Sequence, residues 1–410
     1  MAETAADTEE TTDTRKEGGF KPPFFSHKSS LTTDQILKCF VYFRVKKLDK
    51  KLNIAILFGG RSTEHQISLL SAQNVVAALD KDKFIPQLIA IDKKGQWFYF
   101  GQELQLLNSD DPKNIALAEV KERVYISQNT SECILWQRSS DTPLCTIDVI
   151  FPVLHGNYGE DGSIQGLAQL ANIACVGCGI LGSALCMDKD IMKKLLRDSG
   201  IPTAKWHLQR DNENILAYDE LVKNLGTDLF IKPATLGSSV GISFVNNSTD
   251  YLEAVKYALE FDSKVIIEEK VEGREIECAV LGNDKAKASL PGEVIPKSSF
   301  YSYENKYLDE NGALLHVPAQ LEQNQTEAIQ ELALKCFNLL ECSGMARLDV
   351  FLKENDVIIV NEVNTIPGFT NISMYPKLWE ETGLPQTELI SALIELAIED
   401  NNKRNKLRLI

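Results

Sequence analysis

The run NIAILFGG (53–60) reads as a short buried strand that ends in a Gly-Gly turn. Apolar residues then recur at helical spacing: Ile67, Leu70, Val75, Ala78 and Leu79. FIPQLIAID (84–92) and TIDVIFPVLHG (146–156) predict two more strands, and SIQGLAQLA (163–171) a helix. Strand alternating with helix predicts an open parallel α/β sheet with its site at the strand C-terminal ends. A second pattern starts near Cys178. SALCMDKDIMKKLLRDSG (183–200) reads as one helix closed by Gly200, with Pro202 beyond it. FIKPATLGSSVGISFV (230–245) reads as strand, glycine-rich turn, strand. DYLEAVKYALEF (250–261) is an amphipathic helix and KVIIEEKVEG (264–273) a strand, which together predict a compact α+β unit.

A third pattern opens with the strand REIECAVL (274–281). The stretch 299–316 is polar, Tyr-rich and loop-like, and NQTEAIQELALKCFNLL (324–340) is a long helix. GMARLDVFL (344–352) and DVIIVNEVN (356–364) form a strand hairpin, and TELISALIELAIED (387–400) a closing helix. The expected organisation is an extension over 1–52 and domains over 53–177, 178–271 and 272–410. Residues 1–18 are rich in Thr, Glu, Asp and Ala, a composition that predicts disorder. The apolar stretch 36–45 is interrupted by Lys38 and Arg44 and reads as a docking helix or strand; the whole stretch 1–50 also reads as the product of a misassigned start codon.

Composition narrows the partners. The chain has 410 residues, 43 Lys and Arg against 58 Asp and Glu, and a net charge of −15. That balance excludes non-specific nucleic-acid binding and disfavours an anionic membrane surface. An anionic substrate has to be held by local lysines, arginines or a metal, against the global field. No apolar run approaches a membrane span, and the N-terminus lacks the features of a signal peptide. Nine cysteines, an odd and sparse set, suit reduced thiols and a cytoplasmic protein. Cys175 and Cys178 form a C-x-x-C without a second pair, which reads as two small buried hydrophobes.

The densest chemical signal lies in the hairpin. Arg347 and Asp349 are two apart on one strand, as are Glu362 and Asn364 on the next. With a period of two, each pair projects from one face. Asp349, Glu362 and Asn364 beside Arg347 suit an Mg²⁺ site that also handles phosphate; a salt-bridged solvent face is the plainer alternative. TLGSSVG (235–241) offers backbone N–H groups for a phosphate, matches the serine-hydrolase pattern G-x-S-x-G around Ser239, or is a structural hairpin. The apolar ISFV after it is β-type, where a hydrolase needs a helix, and His316 is the only downstream histidine. No P-loop motif occurs, and no G-x-G-x-x-G follows the first strand. Lys189, Lys232 and His155 are each weak signals alone. Glu64 sits at a strand-to-helix transition and is suited to a substrate ammonium; Ser62 or Thr63 as a helix cap is the plainer reading.

Taken together, GGRSTEHQISLLSA, VIFPVLHGNYGEDGSIQG, MDKDIMKKLL, FIKPATLGSSVG, GREIECAVLG, YENKY, GMARLDVF and NEVNTIPGFTNISMYP resemble the D-alanine–D-alanine ligases of the ATP-grasp superfamily. The resemblance covers residues 53 to about 400 and leaves the first fifty outside. It implies α/β and α+β architecture: a three-domain ATP-grasp fold whose N-terminal domain is Rossmann-like. It implies phosphorylation of one D-alanine by ATP and attack by the amine of a second, giving the dipeptide for peptidoglycan synthesis. It also implies two Mg²⁺ or Mn²⁺ ions and a homodimer.

By the same resemblance, Lys189 and Lys232 bind ATP phosphates, and Lys306 reaches the γ-phosphate from a mobile loop. Glu268 and Glu275 line the adenine and ribose pocket. Asp349, Glu362 and Asn364 hold the metal, while Arg347 and the Gly368 N–H form an oxyanion hole. Glu64, linked through Ser238 to Tyr307, receives the first D-alanine's ammonium, and His155 lies near its carboxylate. Ser373 and Met374 border the second D-alanine. Tyr307 matches the dipeptide-forming members as against D-lactate users. Three other readings stay open: a different ATP-grasp ligase, a serine hydrolase using Ser239, and a non-catalytic protein of the same fold.

Overall fold

The computed structural model describes residues 50–109, 111–119, 122–127, 133–296 and 313–408. A mostly parallel sheet with one antiparallel edge strand comes first. It is built on β1 (Leu52–Gly59), flanked by helix α1 (His65–Ala78), β2 (Phe84–Ile91) and β3 (Trp97–Gly101). A two-stranded ribbon, β4 (Leu106–Leu107) with β5 (Ala116–Leu117), precedes a meander of β6 (Val124–Ile126), β7 (Cys133–Gln137) and β8 (Thr142–Ile147). The chain re-enters the first sheet as β9 (Val149–Val153), then α2 (Ser163–Leu170) and β10 (Ala174–Cys175), giving the order β10-β9-β1-β2-β3. β1 is buried on both sides, as its unbroken apolar run requires. Its C-terminal end and that of β9 open toward Glu64 and His155, where an open α/β sheet places its ligand.

The run 146–156 is not one strand. Asp148 breaks it: its backbone N–H donates to Asn53 O (3.0 Å), and its carboxylate accepts from the Asn53 N–H (2.7 Å). The residues before it belong to the meander and those after it to the parallel sheet.

The helix expected over 183–200 is likewise two, α3 (Ile180–Met187) and α4 (Lys189–Asp198). Asp188 caps α4 by accepting from Asp190 N–H (3.2 Å) and Ile191 N–H (3.1 Å). The break lets Lys189 N–H donate to Ala234 O (3.0 Å), which ties the start of α4 to the glycine-rich turn. A four-stranded antiparallel sheet follows in the order β11-β14-β12-β13: β11 (Trp206–Arg210), β12 (Leu229–Pro233), β13 (Ser243–Val245) and β14 (Lys264–Glu269). Helices α5 (Tyr218–Leu225) and α6 (Ser248–Leu259) cover one face around Ile231, Val255 and Ile267. β11 was not expected from the sequence. β14 stops at Glu269, short of the Gly273 expected, where Lys270 N–H turns to Asp228 O (3.0 Å).

The third sheet runs β18-β17-β15-β19-β20, with β16 (Lys287–Ala288) added on β15. Its strands are β15 (Arg274–Gly282), β17 (Gly292–Pro296), β18 (Ala313–His316), β19 (Gly344–Leu352) and β20 (Ile358–Asn364). Helix α7 (Gln323–Leu339) packs behind β15 and β19. There Ile276, Phe337, Leu348, Val360 and Met192 of α4 share one buried core. α8 (Met374–Glu381) follows, and α9 (Gln386–Asn405) lies against β10 of the first sheet. Among the described residues no helix is long and apolar enough to cross a membrane.

Candidate active site

The hairpin pairs act as the two-residue period predicts. β19 and β20 are antiparallel with Arg347 opposite Asn364 and Asp349 opposite Glu362. Arg347 grips Asp349 through two bonds, Nε to Oδ1 and Nη2 to Oδ2, both 2.7 Å. A second carboxylate, Glu277 on β15, lies 2.9 Å from Arg347 Nε. Two anions thus hold one guanidinium flat, a geometry available to Arg and not to Lys. Asn364 Nδ2 donates to Asp349 Oδ2 (3.0 Å). Sequence reasoning missed Glu277, although REIEC sets it two residues from Glu275, on the same strand face. The solvent-face alternative fails, because Asp349 and Arg347 are both mostly buried in a cleft.

The other end of the cleft is cationic. Lys189 Nζ donates to Leu236 O (2.6 Å) and lies 3.8 Å from Glu362 Oε2, so it borders both the glycine-rich turn and the hairpin. Lys232 Nζ is 2.5 Å from Glu268 Oε2. The other oxygen of Glu268 pairs with Lys193, which the sequence did not single out. Burial alone pushes the Glu268 carboxyl up, but Lys193 and then Lys232 outweigh it and hold it at about 2. Burial likewise pulls Lys232 down, and the Glu268 charge overrides it, for a net rise.

The first sheet supplies the third wall. Ser238 sits in the glycine-rich turn with φ of +51° and donates its hydroxyl hydrogen bond to Glu64 Oε1. Glu64 is 5% exposed. Gly156 has φ +72°, and a Cβ there would meet Glu64 Oε2 at 2.5 Å, so the loop after β9 needs glycine. His155 is buried between two partners: Nδ1 donates to Ile366 O (3.1 Å), and Nε2 accepts from Ser71 Oγ (3.1 Å). Burial holds its imidazole at about 4, hence neutral. Glu160 accepts from Gly156 N–H (2.7 Å) and from Ile366 N–H (3.1 Å). Burial, then the charge of Glu64, pushes Glu160 up to about 8 against those two hydrogen bonds. Gly368 and Ser373 approach so closely that a Cβ on Gly368 would lie 2.7 Å from Ser373 Oγ. Ser373 Oγ also accepts from Thr370 N–H (3.0 Å), and Met374 is buried at the head of α8.

One cavity is therefore lined by Glu64, His155 and Ser238 together with Glu275, Arg347, Asp349, Glu362 and Asn364 of the third sheet. Gly368, Ser373 and Met374 line it as well. Lys189 adjoins it through Glu362, while Lys232 and Glu268 lie outside the residues that line it. Lys306 and Tyr307 fall outside the described residues. Ser239 is followed by strand β13, so the helix of a nucleophile elbow is missing, and His316 pairs with Glu293 (3.8 Å). The hydrolase reading is set aside on those grounds. Cys175 and Cys178 are free, with Cys178 buried and Cys175 half-buried, and burial pushes the Cys175 thiol up to about 12.

Comparison with known proteins decides the family. Residues 53–178 match the model for the D-ala D-ala ligase N-terminus, and residues 195–395 that for its C-terminus. The chain belongs to the D-alanine–D-alanine ligase family. It is 49% identical over 360 residues to the D-alanine–D-alanine ligase of Oceanobacillus iheyensis, covering 87% of this chain and 98% of that one. Its fold matches the D-alanine–D-alanine ligase structure from Coxiella burnetii with a TM-score of 0.74 at 38% identity, covering 87% and 98% of the two chains. A D-Ala:D-Ser ligase from Enterococcus faecalis matches at 0.73 and 36%, covering 85% and 100%. A ligase from Bacillus anthracis, solved in complex with ATP, matches at 0.63 and 27%, covering 86% and 99%. These likenesses give the three sheets the ATP-grasp fold expected above.

Proposed function

We propose that this ligase joins two D-alanines into D-alanyl-D-alanine at the expense of ATP, for peptidoglycan synthesis. The observation that carries the reading is one cavity with a carboxylate for an ammonium (Glu64, with Ser238) and an arginine for an oxyanion (Arg347), which Lys189 adjoins through Glu362, with Lys232 beyond its lining on Glu268 as a second cation for phosphates. The first D-alanine binds with its ammonium on Glu64. Its carboxylate oxygen attacks the γ-phosphorus of ATP; the new C–O–P linkage forms, the β–γ bridge breaks and ADP leaves. Lys189 and Lys232 offset the repulsion between the two anions. The free amine of the second D-alanine, bordered by Ser373 and Met374, attacks the acyl carbon. Arg347 and the Gly368 N–H take the oxyanion, which collapses to the amide and releases phosphate. Arg347 is pre-oriented because Asp349 and Glu277 already fix its plane.

Asp349, Glu362 and Asn364 offer oxygen donors alone, from one sheet face. Among the described residues no cluster of three or more His, Cys, Asp and Glu is spaced to hold a metal by itself. The oxygen donors of Asp349, Glu362 and Asn364 fit Mg²⁺ or Mn²⁺, which take few carboxylates and would draw their remaining ligands from ATP. Once bound, such ions supply charge neutralisation on the transferred phosphoryl group. Glu268 and Glu275 are assigned to the adenine and ribose side, and Lys306 and Tyr307 to the γ-phosphate and the Ser238 link. Domain boundaries near residues 178 and 272, a homodimer and a cytoplasmic site of action complete the reading.

The test is ADP and phosphate release from the purified protein with ATP, Mg²⁺ and D-alanine, with L-alanine and no amino acid as controls, and the product identified by mass. Release that requires D-alanine, with the dipeptide as product, supports the reading; release independent of D-alanine overturns it. D-Serine and D-lactate as competing second substrates address the remaining choice. A mixed product that outweighs the D-alanine dipeptide would reassign the second site.

A further inference from the structure

Lys193 is a lysine where the fold has no obvious use for one. It lies on α4 between Met192 and Leu196, which belong to the apolar core, and its side chain is 1% exposed. The Trp206 ring is 5.7 Å from its Nζ. Trp206 is itself anchored by donating to Asp190 Oδ1 (3.0 Å), so the ammonium is walled in on that side. Its counter-charge is Glu268, also sealed at 4% exposed. A buried ion pair returns little net stability relative to apolar packing, so its retention calls for another reason.

The second lysine suggests that reason. Lys232 holds the opposite oxygen of Glu268 and is 15% exposed, and the Glu362 charge on the hairpin acts on it. Lys232 can therefore turn to an anion in the cleft, and Lys193 cannot. When Lys232 does so, Glu268 would be a buried carboxylate without its second cation, and removing a partner from such a pair is costly.

We propose that Lys193 is the standing counter-ion of Glu268, a positioning residue that keeps this carboxylate charged and oriented toward the nucleotide while Lys232 is released to the phosphates. The proposal rests on the assignment of Glu268 to the nucleotide pocket. It makes Lys193 a determinant of ATP binding without contact to ATP.

The test is steady-state kinetics of the full chain with ATP and D-alanine for Lys193→Met, Glu268→Gln and the double variant. Lys193→Met is expected to raise KM for ATP about tenfold or more. KM for D-alanine and kcat should change by less than about threefold, because the lost binding energy belongs to one substrate. The neutral amide of Glu268→Gln needs no counter-ion, so the double variant should bind ATP no worse than Glu268→Gln alone. If Lys193→Met does not fold, the double variant must fold and match Glu268→Gln; failure of both overturns the proposal. Additive losses in the double variant, or equal losses in both KM values, also overturn it and leave Lys193 a structural residue. An unchanged KM for ATP in Glu268→Gln overturns instead the nucleotide assignment on which the inference stands.

Discussion

The two ends of the cleft carry opposite charge and are held in opposite ways. At the β12–β14 end, lysines from α4 and β12 converge on one glutamate, and Lys189 reaches across to Glu362. At the other end, Glu64 and Glu160 face a cavity that also contains Asp349 and Glu362, with Arg347 paired to Asp349. The cationic end sets two lysines on one buried glutamate, whereas at the anionic end burial first, and then the charge of Glu64, pushes the Glu160 carboxyl up. A protein of net charge −15 thus keeps a local cationic site for an anionic substrate and leaves carboxylates poised for cations, whether metal ion or ammonium.

The sharpest way to break this contrast is at the anionic end. Asp349→Asn should lower kcat by about 10²–10³ in the ADP-release assay, since it loosens Arg347 and removes an oxygen charge in one step. Retention of activity within about threefold would remove the hairpin from the chemistry. Gly156→Ala is next. It imposes an L side chain at φ +72° and drives Glu64 from its place. At a cost of about 1–3 kcal/mol, KM for the first D-alanine should rise roughly ten- to a hundredfold, while KM for ATP stays near its original value.

The histidine at the junction gives a pH test. His155 is held at about 4, below its ordinary value of 6.5, so the unfolded chain binds its proton more readily. Its contribution is complete above about pH 6.5 and fades as pH falls toward 4. Glu160 opposes this, because a carboxyl raised to about 8 favours the folded state at lower pH. The difference between the parent and His155→Gln isolates the first effect. Measured by denaturant unfolding, the parent should lose up to about 3 kcal/mol more than the variant between pH 7 and 4. Parallel pH curves would mean that His155 is not buried neutral. The smallest effect is expected at Asp188→Ala, where loss of the α4 cap costs about 1 kcal/mol and lowers Tm by a few degrees.

How much of this was legible depended on spacing. Arg347 with Asp349, and Glu362 with Asn364, advertise themselves because a strand repeats every two residues. Glu277 carries the same signal in REIEC, yet only the pairing of β15 with β19 puts it opposite Asp349. Lys193 was not legible. It sits four residues after Lys189, where a solvated helix face is the ordinary expectation, and its burial comes from Trp206 and Glu268, distant in sequence. The breaks at Asp148 and Asp188 were hidden for a related reason. Apolar periodicity runs through both, and the side-chain hydrogen bonds that end each element depend on local geometry that hydrophobicity does not encode.

The loop that carries Gly368 is not the property of the C-terminal half alone. The Ile366 peptide is gripped on both sides by residues from the other half of the chain: its N–H by Glu160 and its C=O by His155. Phe369 N–H is held in turn by Ser71 (3.2 Å). The two halves are therefore poor modules. A fragment beginning at residue 195 would present Gly368 on a loop stripped of these partners. A chimaera between relatives has to inherit Ser71, His155 and Glu160 together with the 366–369 loop, as one heritable unit written in two distant stretches of sequence.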